Sequence, residues 1–167
     1  MVQTFFANFA RDNLLMRNIS DILTVDRIRD IKARTKDGVL RELCKLASTS
    51  PHVSDPEAFL KAIRARETAM STGIGMGIAI PHAKTPSIKD FVMAVGRSLK
   101  GIDFDSLDGL PAHIVILVGS SDKQNVEFLK LIAKIGALFN ETGFKERFLK
   151  AKTTEEMYRL LTESNPC

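Results

Sequence analysis

Three glycines in alternate positions stand just before a short apolar run that a proline ends. These residues are Gly73, Gly75, Gly77, Ile78, Ala79, Ile80 and Pro81. Glycine adopts positive φ and permits close backbone approach, so residues 71–77 are predicted to form a loop and a helix is excluded there. The apolar run predicts a strand that stops at the proline, which cannot donate to a sheet ladder. His82 is therefore expected where a strand gives way to a loop.

Helical and strand patterns alternate irregularly over the rest of the chain. Helices are predicted over 36–48, from a capping box at residues 54–57 to about residue 66, over 122–140, over 144–151 and after a second capping box at 153–156. Strands are predicted over 27–31, 78–80, 91–97, 101–104 and 113–118. This order of crossovers and a hairpin favours an α/β (α+β) fold with one domain, in which helices flank both faces of a mixed sheet.

The first residues form an amphipathic arm that we predict to lie outside the domain. Its apolar side chains are Phe5, Phe6, Phe9, Leu14, Leu15 and Met16, and Arg11 and Asp12 interrupt them. The interruption excludes a secretion signal, so the arm is predicted to pack on the domain or on a partner subunit, with membrane contact as the lesser alternative. Residues 1–18 are assigned to the arm and 19–167 to the domain. No apolar run approaches the roughly 18 residues that a membrane span needs.

Charge and cysteine content narrow the classes of partner and compartment. The net charge of +4 comes without a concentrated basic stripe, so nucleic-acid binding is not predicted. Cys44 lies in an apolar helical pattern and Cys167 ends the chain, which gives no disulfide framework and favours a reducing cytoplasm. The spacing of the three histidines does not fit a zinc site, and we predict neither a metal nor a cofactor.

The three histidines receive different predictions. His52 follows a proline in a Ser/Thr-rich loop and is predicted to be solvated, whereas His113 opens an apolar strand and is predicted to be a hydrogen-bonded edge or core residue. His82 alone is presented at the end of a strand, where a neutral imidazole near pH 7 is a nucleophile for a phosphoryl group.

Phosphate oxygens would be held near His82 by charge and by hydrogen-bond donors. We predict this role for Arg66, for the hydroxyls of Ser71 and Thr72, and for backbone N–H groups of the loop that contains Gly73, Gly75 and Gly77. On this reading, a side chain at Gly75 harms both the fold and the chemistry. The residues alone leave a second interpretation open, in which the glycines only close a tight loop. Neither a hydrolase triad nor a nucleotide-binding loop fits the pattern.

Residues 66–84 (RETAMSTGIGMGIAIPHAK) resemble the signature of the enzyme IIA domains of the bacterial phosphotransferase system. The segment is similar to the fructose/mannitol-type superfamily and especially to its nitrogen-regulatory branch. The resemblance implies that His82 accepts a phosphoryl group from an HPr-type protein and passes it to a IIB domain, with Arg66 as the active-site arginine and phosphoenolpyruvate as the ultimate source.

Two departures from this family bear on the expected function. Many members carry a second histidine at the start of the late helix, whereas residues 125–129 read NVEFL. His113 is the possible auxiliary imidazole in its place. No IIB or IIC portion is recognised, so the acceptor is expected to be a separate protein, as in a fructose or mannitol uptake system, or the output is expected to be regulatory, including the alternative of a binding module that transfers nothing.

Overall fold

The computed structural model describes residues 17–164, which contain six helices and one six-stranded mixed sheet. The helices are α1 (Ile19–Ile22), α2 (Lys36–Ala47), α3 (Pro56–Ala69), α4 (Asn125–Asn140), α5 (Phe144–Lys150) and α6 (Thr154–Glu163). The strands are β1 (Ile28–Asp30), β2 (Gly73–Gly75), β3 (Ile78–Ala79), β4 (His82–Lys84), β5 (Val92–Ile102) and β6 (Ala112–Ser120).

The sheet is built around the antiparallel pair of β5 and β6. Its order is β1-β5-β6-β3-β2, and β4 also pairs with β6. The strands β3 and β4 both run parallel to β6 and keep one register, since Ile78 pairs with Ile114 and His82 pairs with Val118. They are therefore one strand interrupted at Pro81, which lacks an N–H but whose carbonyl oxygen accepts from Val118 N at 3.0 Å.

Each face of the sheet packs against its own group of helices. On one face, α1 and α4–α6 bury an apolar cluster that includes Ile80, Phe128 and Phe148. On the other face, α2 and α3 bury a second cluster that includes Phe59. The prediction of helices on both faces is confirmed. Cys44 belongs to the second cluster, where burial raises the pKa of its thiol to about 12.

The capping residues explain where two of the helices begin. Thr153 accepts from Glu156 N, as the sequence predicts for the start of α6. The prediction for α3 was wrong by one residue, because Asp55 accepts from Ala58 N and is the N-cap. The hydroxyl of Ser54 instead donates to the Ser87 carbonyl oxygen at 2.9 Å. An Asp-Pro pair satisfies the cap with the carboxylate and places proline at the first helical position.

Two strand predictions need correction. Residues 91–97 and 101–104 do not form separate strands, because β5 runs continuously through Val92–Ile102. A register irregularity before Ile102 and a positive φ of 81° at Gly101 let the strand continue past residue 97. His82 does not begin a loop either, since it is the first residue of β4. A proline therefore breaks the ladder at one position and does not end the strand.

Residues 1–16 of the predicted arm lie outside the described residues. At the first described residue, the Arg17 guanidinium pairs with the Asp90 carboxylate at 3.0 Å. Asp90 also accepts from Gln124 Nε2 at 2.8 Å, next to the start of α4. Within 17–164, no helix combines the length and the apolar character that crossing a bilayer requires.

Candidate functional site

His82 lies at an open edge of the sheet, between the end of one helix and the start of another. Among the strands of residues 17–164, β4 pairs with β6 alone, so none of these strands covers its other side. The last turns of α3 approach from one face and the first turn of α4 from the other. Together they leave an open depression of about 370 Å³. It is lined by Ala62, Arg66, His82, Ala83, Lys84 and Phe128.

The ring of His82 has one defined tautomer. Its Nδ1 lies 2.7 Å from the carbonyl oxygen of Ile80. A carbonyl oxygen only accepts, so the neutral ring carries its proton on Nδ1 and donates it there. The lone pair is then on Nε2, which is the ring nitrogen able to act as a nucleophile.

The surroundings of His82 keep its imidazole neutral. Burial lowers the pKa of His82, and the positive charges of Arg66 and Lys84 lower it further, against the raising effects of the Ile80 hydrogen bond and of Glu67. Part of that burial comes from Phe128, whose ring centroid lies 5.2 Å from that of the imidazole. Since the pKa falls below its ordinary value, the nucleophilic form predominates at neutral pH.

Arg66 is brought to His82 as the sequence predicts. It lies in the last turn of α3, where its Nη1 donates to the Met70 carbonyl oxygen at 2.9 Å. That bond holds the guanidinium at the rim of the depression. A guanidinium has five N–H donors, so others remain for the oxygens of an anion.

Three residues at the site were missed by the sequence analysis. Lys84 follows His82 by two positions on the same strand, so both side chains lie on one face. Its Nζ donates to Asn125 Oδ1 at 2.8 Å and lies 5.3 Å from the centre of the Phe128 ring. A strand over residues 82–84 would have signalled Lys84 by its period of two, whereas Asn125 and Phe128 arrive through tertiary packing.

The hydroxyls of Ser71 and Thr72 are engaged elsewhere. Ser71 Oγ donates to the Phe104 carbonyl oxygen at 2.7 Å and accepts from Gly73 N at 3.1 Å. The buried Thr72 hydroxyl donates to the Glu67 carboxylate, which also accepts from Thr72 N at 2.9 Å. Neither residue lines the depression at His82. Their contacts fix the chain that leaves α3, and they hold Arg66 only indirectly.

The glycine loop is a hairpin turn at the far end of β6. Gly75 and Gly77 have φ values of 88° and 80°, and the Gly77 carbonyl oxygen accepts from His113 N. His82 pairs with Val118, five residues further along β6, which corresponds to about 16 Å. The loop therefore does not reach a phosphoryl group on His82. The geometry supports the other interpretation, in which the glycines close a tight turn, and Gly73 packs against Ser106.

His113 is also far from His82 along β6. Its Nδ1 lies 2.9 Å from the Ser98 carbonyl oxygen, at the opposite end of β6 from His82. The structure thus places it in the structural role first predicted for it and does not bring it to the site as an auxiliary imidazole. His52 is exposed in its loop, as predicted.

Comparisons with known proteins show a family that the chain matches. The family described as "Phosphoenolpyruvate-dependent sugar phosphotransferase system, EIIA 2" matches residues 21–164. The fructose-specific EIIABC component of Bacillus subtilis (strain 168) is 33% identical over 146 residues, and the match covers 87% of this chain but only 23% of that protein.

Two solved structures share the fold. The crystal structure of the nitrogen regulatory protein IIA-Ntr from Neisseria meningitidis has a TM-score of 0.81 and 26% identity, over 86% of this chain and 99% of that chain. The Escherichia coli mannitol IIA, solved with phosphorylated IIB, has a TM-score of 0.74 and 21% identity, over 85% of this chain and 98% of that chain. At 21% identity, the similarity to the mannitol IIA shows a shared fold alone.

The first prediction concerns the tautomer and titration of His82. Because Ile80 fixes the proton on Nδ1 and burial disfavours the charged ring, we expect the neutral Nδ1–H form and a midpoint below the ordinary value of roughly 6.5. Nitrogen-15 NMR of the imidazole over a pH series measures both. A midpoint at or above the ordinary value, or a neutral ring protonated on Nε2, would contradict the geometry.

The second prediction separates the glycine hairpin from the site. Gly75→Val should lower the free energy of unfolding by about 1–2 kcal/mol, because a branched side chain is strained at positive φ. Its Cβ would also meet Asp108 at 3.0 Å. The imidazole resonances of His82 should stay unchanged. Gly136→Ala is the control: nothing lies within 4 Å of its added Cβ, and it should raise stability by about 0.5–1 kcal/mol. Shifted His82 resonances in Gly75→Val would show that the hairpin does act on the site.

Proposed function

Because the chain belongs to the EIIA 2 family of the phosphoenolpyruvate-dependent sugar phosphotransferase system, we propose that it is a phosphohistidine carrier that uses His82. The observation that supports this most is the fixed tautomer of His82, which presents the Nε2 lone pair in a depression lined by two cations. An HPr-type phosphocarrier is the proposed donor. The proposed setting is the cytoplasm.

In the proposed reaction, Nε2 attacks the phosphorus of the phosphohistidine on the donor. A bond from Nε2 to phosphorus forms while the donor's nitrogen–phosphorus bond breaks, and that electron pair returns to the donor's imidazole nitrogen. The group moves as PO₃⁻, and the Nδ1 proton stays on its bond to Ile80. Arg66 stabilises the charge that spreads over the three equatorial oxygens. Onward transfer reverses these steps.

Exposed apolar side chains flank the depression and suit a protein partner. Met70 stands beyond Arg66, and Val126 and Leu129 stand on the first turns of α4 beside Phe128; these three are 66%, 63% and 67% exposed. Exposed apolar side chains that are grouped on a surface are typical of protein–protein interaction sites. The mannitol IIA that shares this fold was solved in complex with phosphorylated IIB, which supports a IIB domain as one acceptor.

We propose that the output of this carrier is regulatory, through its phosphorylation state. Support comes from the IIA-Ntr structure, whose matched chain is covered almost completely. The fructose-specific relative favours a second candidate, in which the chain serves a fructose or mannitol uptake system. Incubating the phosphorylated protein with fructose-type and mannitol-type IIB domains separates the two. Rapid loss of the phosphoryl group to one IIB supports uptake, whereas retention of the group supports regulation.

The third prediction is that His82 is the phosphorylated residue. In a mixture of phosphoenolpyruvate, enzyme I and HPr, the wild-type chain should gain one phosphoryl group by mass spectrometry, and His82→Gln should gain none. The matched control is His113→Gln, which should be phosphorylated normally because His113 lies at the far end of β6. A wild-type chain that stays unmodified, or a His82→Gln chain that is modified, would overturn the proposal.

The fourth prediction concerns Arg66. Arg66→Ala should slow phosphorylation by about a hundredfold or more, because one preorganised donor to the phosphoryl oxygens is lost. Thermal unfolding should change little, since within residues 17–164 the change removes one side-chain hydrogen bond, to the Met70 carbonyl oxygen at the end of α3. Stopped-flow or quenched transfer from phospho-HPr measures the rate. Equal rates in the two proteins would exclude charge stabilisation by this residue.

A further inference from the structure

Lys84 is a cation at the site that the proposed reaction does not yet use. It lies on the same face of β4 as His82 and lines the same depression as Arg66. Lys84 lies close enough to His82 to affect it electrostatically, because its positive charge, like that of Arg66, lowers the pKa of the imidazole.

The ammonium of Lys84 is held by neutral groups. Its partners are the amide oxygen of Asn125 at 2.8 Å and the ring of Phe128, whose centre lies 5.3 Å away. Within residues 17–164, no carboxylate forms an ion pair with Lys84, whereas Lys36 and Arg64 are both paired with acidic side chains. Neutral partners position an ammonium without cancelling its charge.

Phe128 contacts both the Lys84 ammonium and the His82 imidazole. Its ring centre lies 5.2 Å from that of His82 and 5.3 Å from Lys84 Nζ, so one aromatic side chain contacts both groups. Asn125 and Phe128 lie on the first turns of α4 and so move with that helix as one unit. An ammonium has three donors, and Asn125 uses one of them, which leaves hydrogen-bonding capacity for an oxygen of an anion on His82.

We propose that Lys84 is a second phosphoryl-binding cation, positioned by Asn125 and Phe128, that contacts an oxygen of the group carried on His82. This inference rests on the proposed carrier function. Arg66 and Lys84 then approach the group from different sides, one from α3 and one from β4. Lys84 neither gives nor takes a proton during transfer. Its part is to hold charge near the phosphoryl oxygens.

The test asks whether the transfer rate depends on the charge of residue 84 or on the length of its side chain. Lys84→Met keeps the length of the chain without the charge and should slow transfer from phospho-HPr about ten- to a hundredfold, the range for one lost hydrogen bond to a charged group. Lys84→Arg should recover most of the rate. The control is Lys89→Met, an exposed lysine outside the depression, which should transfer at the wild-type rate. Equal rates for Lys84→Met and the wild type would overturn the proposal.

A nearly isosteric change separates this role from a structural one. Asn125→Asp places a carboxylate against the ammonium and cancels its charge, so it should slow transfer as Lys84→Met does. At about pH 8, His82 is neutral in both proteins and its own titration does not contribute. Residue 125 opens a helix, where a carboxylate is favourable, so thermal stability should not fall. An unchanged transfer rate in Asn125→Asp would count against the charge of Lys84.

A measurement without partners distinguishes failure of this inference from failure of the carrier function. The unphosphorylated protein is titrated with inorganic phosphate and followed by NMR at the Lys84 ammonium and the His82 ring. Saturable shifts that weaken at least fivefold in Lys84→Met support the contact, and shifts equal in both proteins refute it. If the wild type binds phosphate through Lys84 but is never phosphorylated by HPr, the carrier function fails while the contact stands.

Discussion

The placement of His82 depends on the parallel pairing of the interrupted strand β3–β4 with β6. Both halves keep one register, and the break at Pro81 is bridged by its carbonyl oxygen, which accepts from Val118 N. The break leaves the Ile80 carbonyl oxygen to accept from the imidazole of His82. The strand thus stays in line across Pro81, while the Ile80 carbonyl oxygen orients the imidazole of His82. Since β4 is an edge, a partner protein has access to the exposed side of the ring.

The two helices that flank this edge supply different kinds of group. The end of α3 supplies Arg66, and the buried Glu67 next to it is tied to Thr72 and to Lys36. The Glu67 carboxylate therefore anchors the turn that carries Arg66. The position of Arg66 thus depends on the contacts of the residue that follows it. The start of α4 supplies no charge to the depression but an amide and an aromatic ring. Within residues 17–164, no carboxylate forms an ion pair with Arg66 or Lys84, and Glu67 does not line the depression.

Much of the fold and one part of the site could be predicted from the sequence. Periodicity located the helices, and residues 66–84 located His82 and Arg66, because the signature is continuous in sequence. The glycines misled the site prediction, since positive φ at Gly75 and Gly77 is equally consistent with an anion-binding loop and with a hairpin turn. Register decided between them: the hairpin meets β6 near His113, and His82 meets it near Val118. Lys84, Asn125 and Phe128 come together only through the packing of α4 on the sheet, which no local pattern reports.

The absence of a second imidazole has a physical consequence for the proposed carrier. Phe128 lies against His82, where a ring that cannot donate or accept a strong hydrogen bond adds burial. Burial lowers the basicity of the acceptor nitrogen, and a less basic nitrogen is a better leaving group from phosphorus. In the proposed carrier, a phosphoryl group on His82 would transfer readily, and nearby positive charge would hold it between partners. Arg66 and Lys84 both line the depression and are placed to supply that charge. In the proposed carrier, Phe128 and the Lys84 ammonium over its ring would act together: the ring makes the phosphoryl group easier to transfer, and the ammonium helps to hold it.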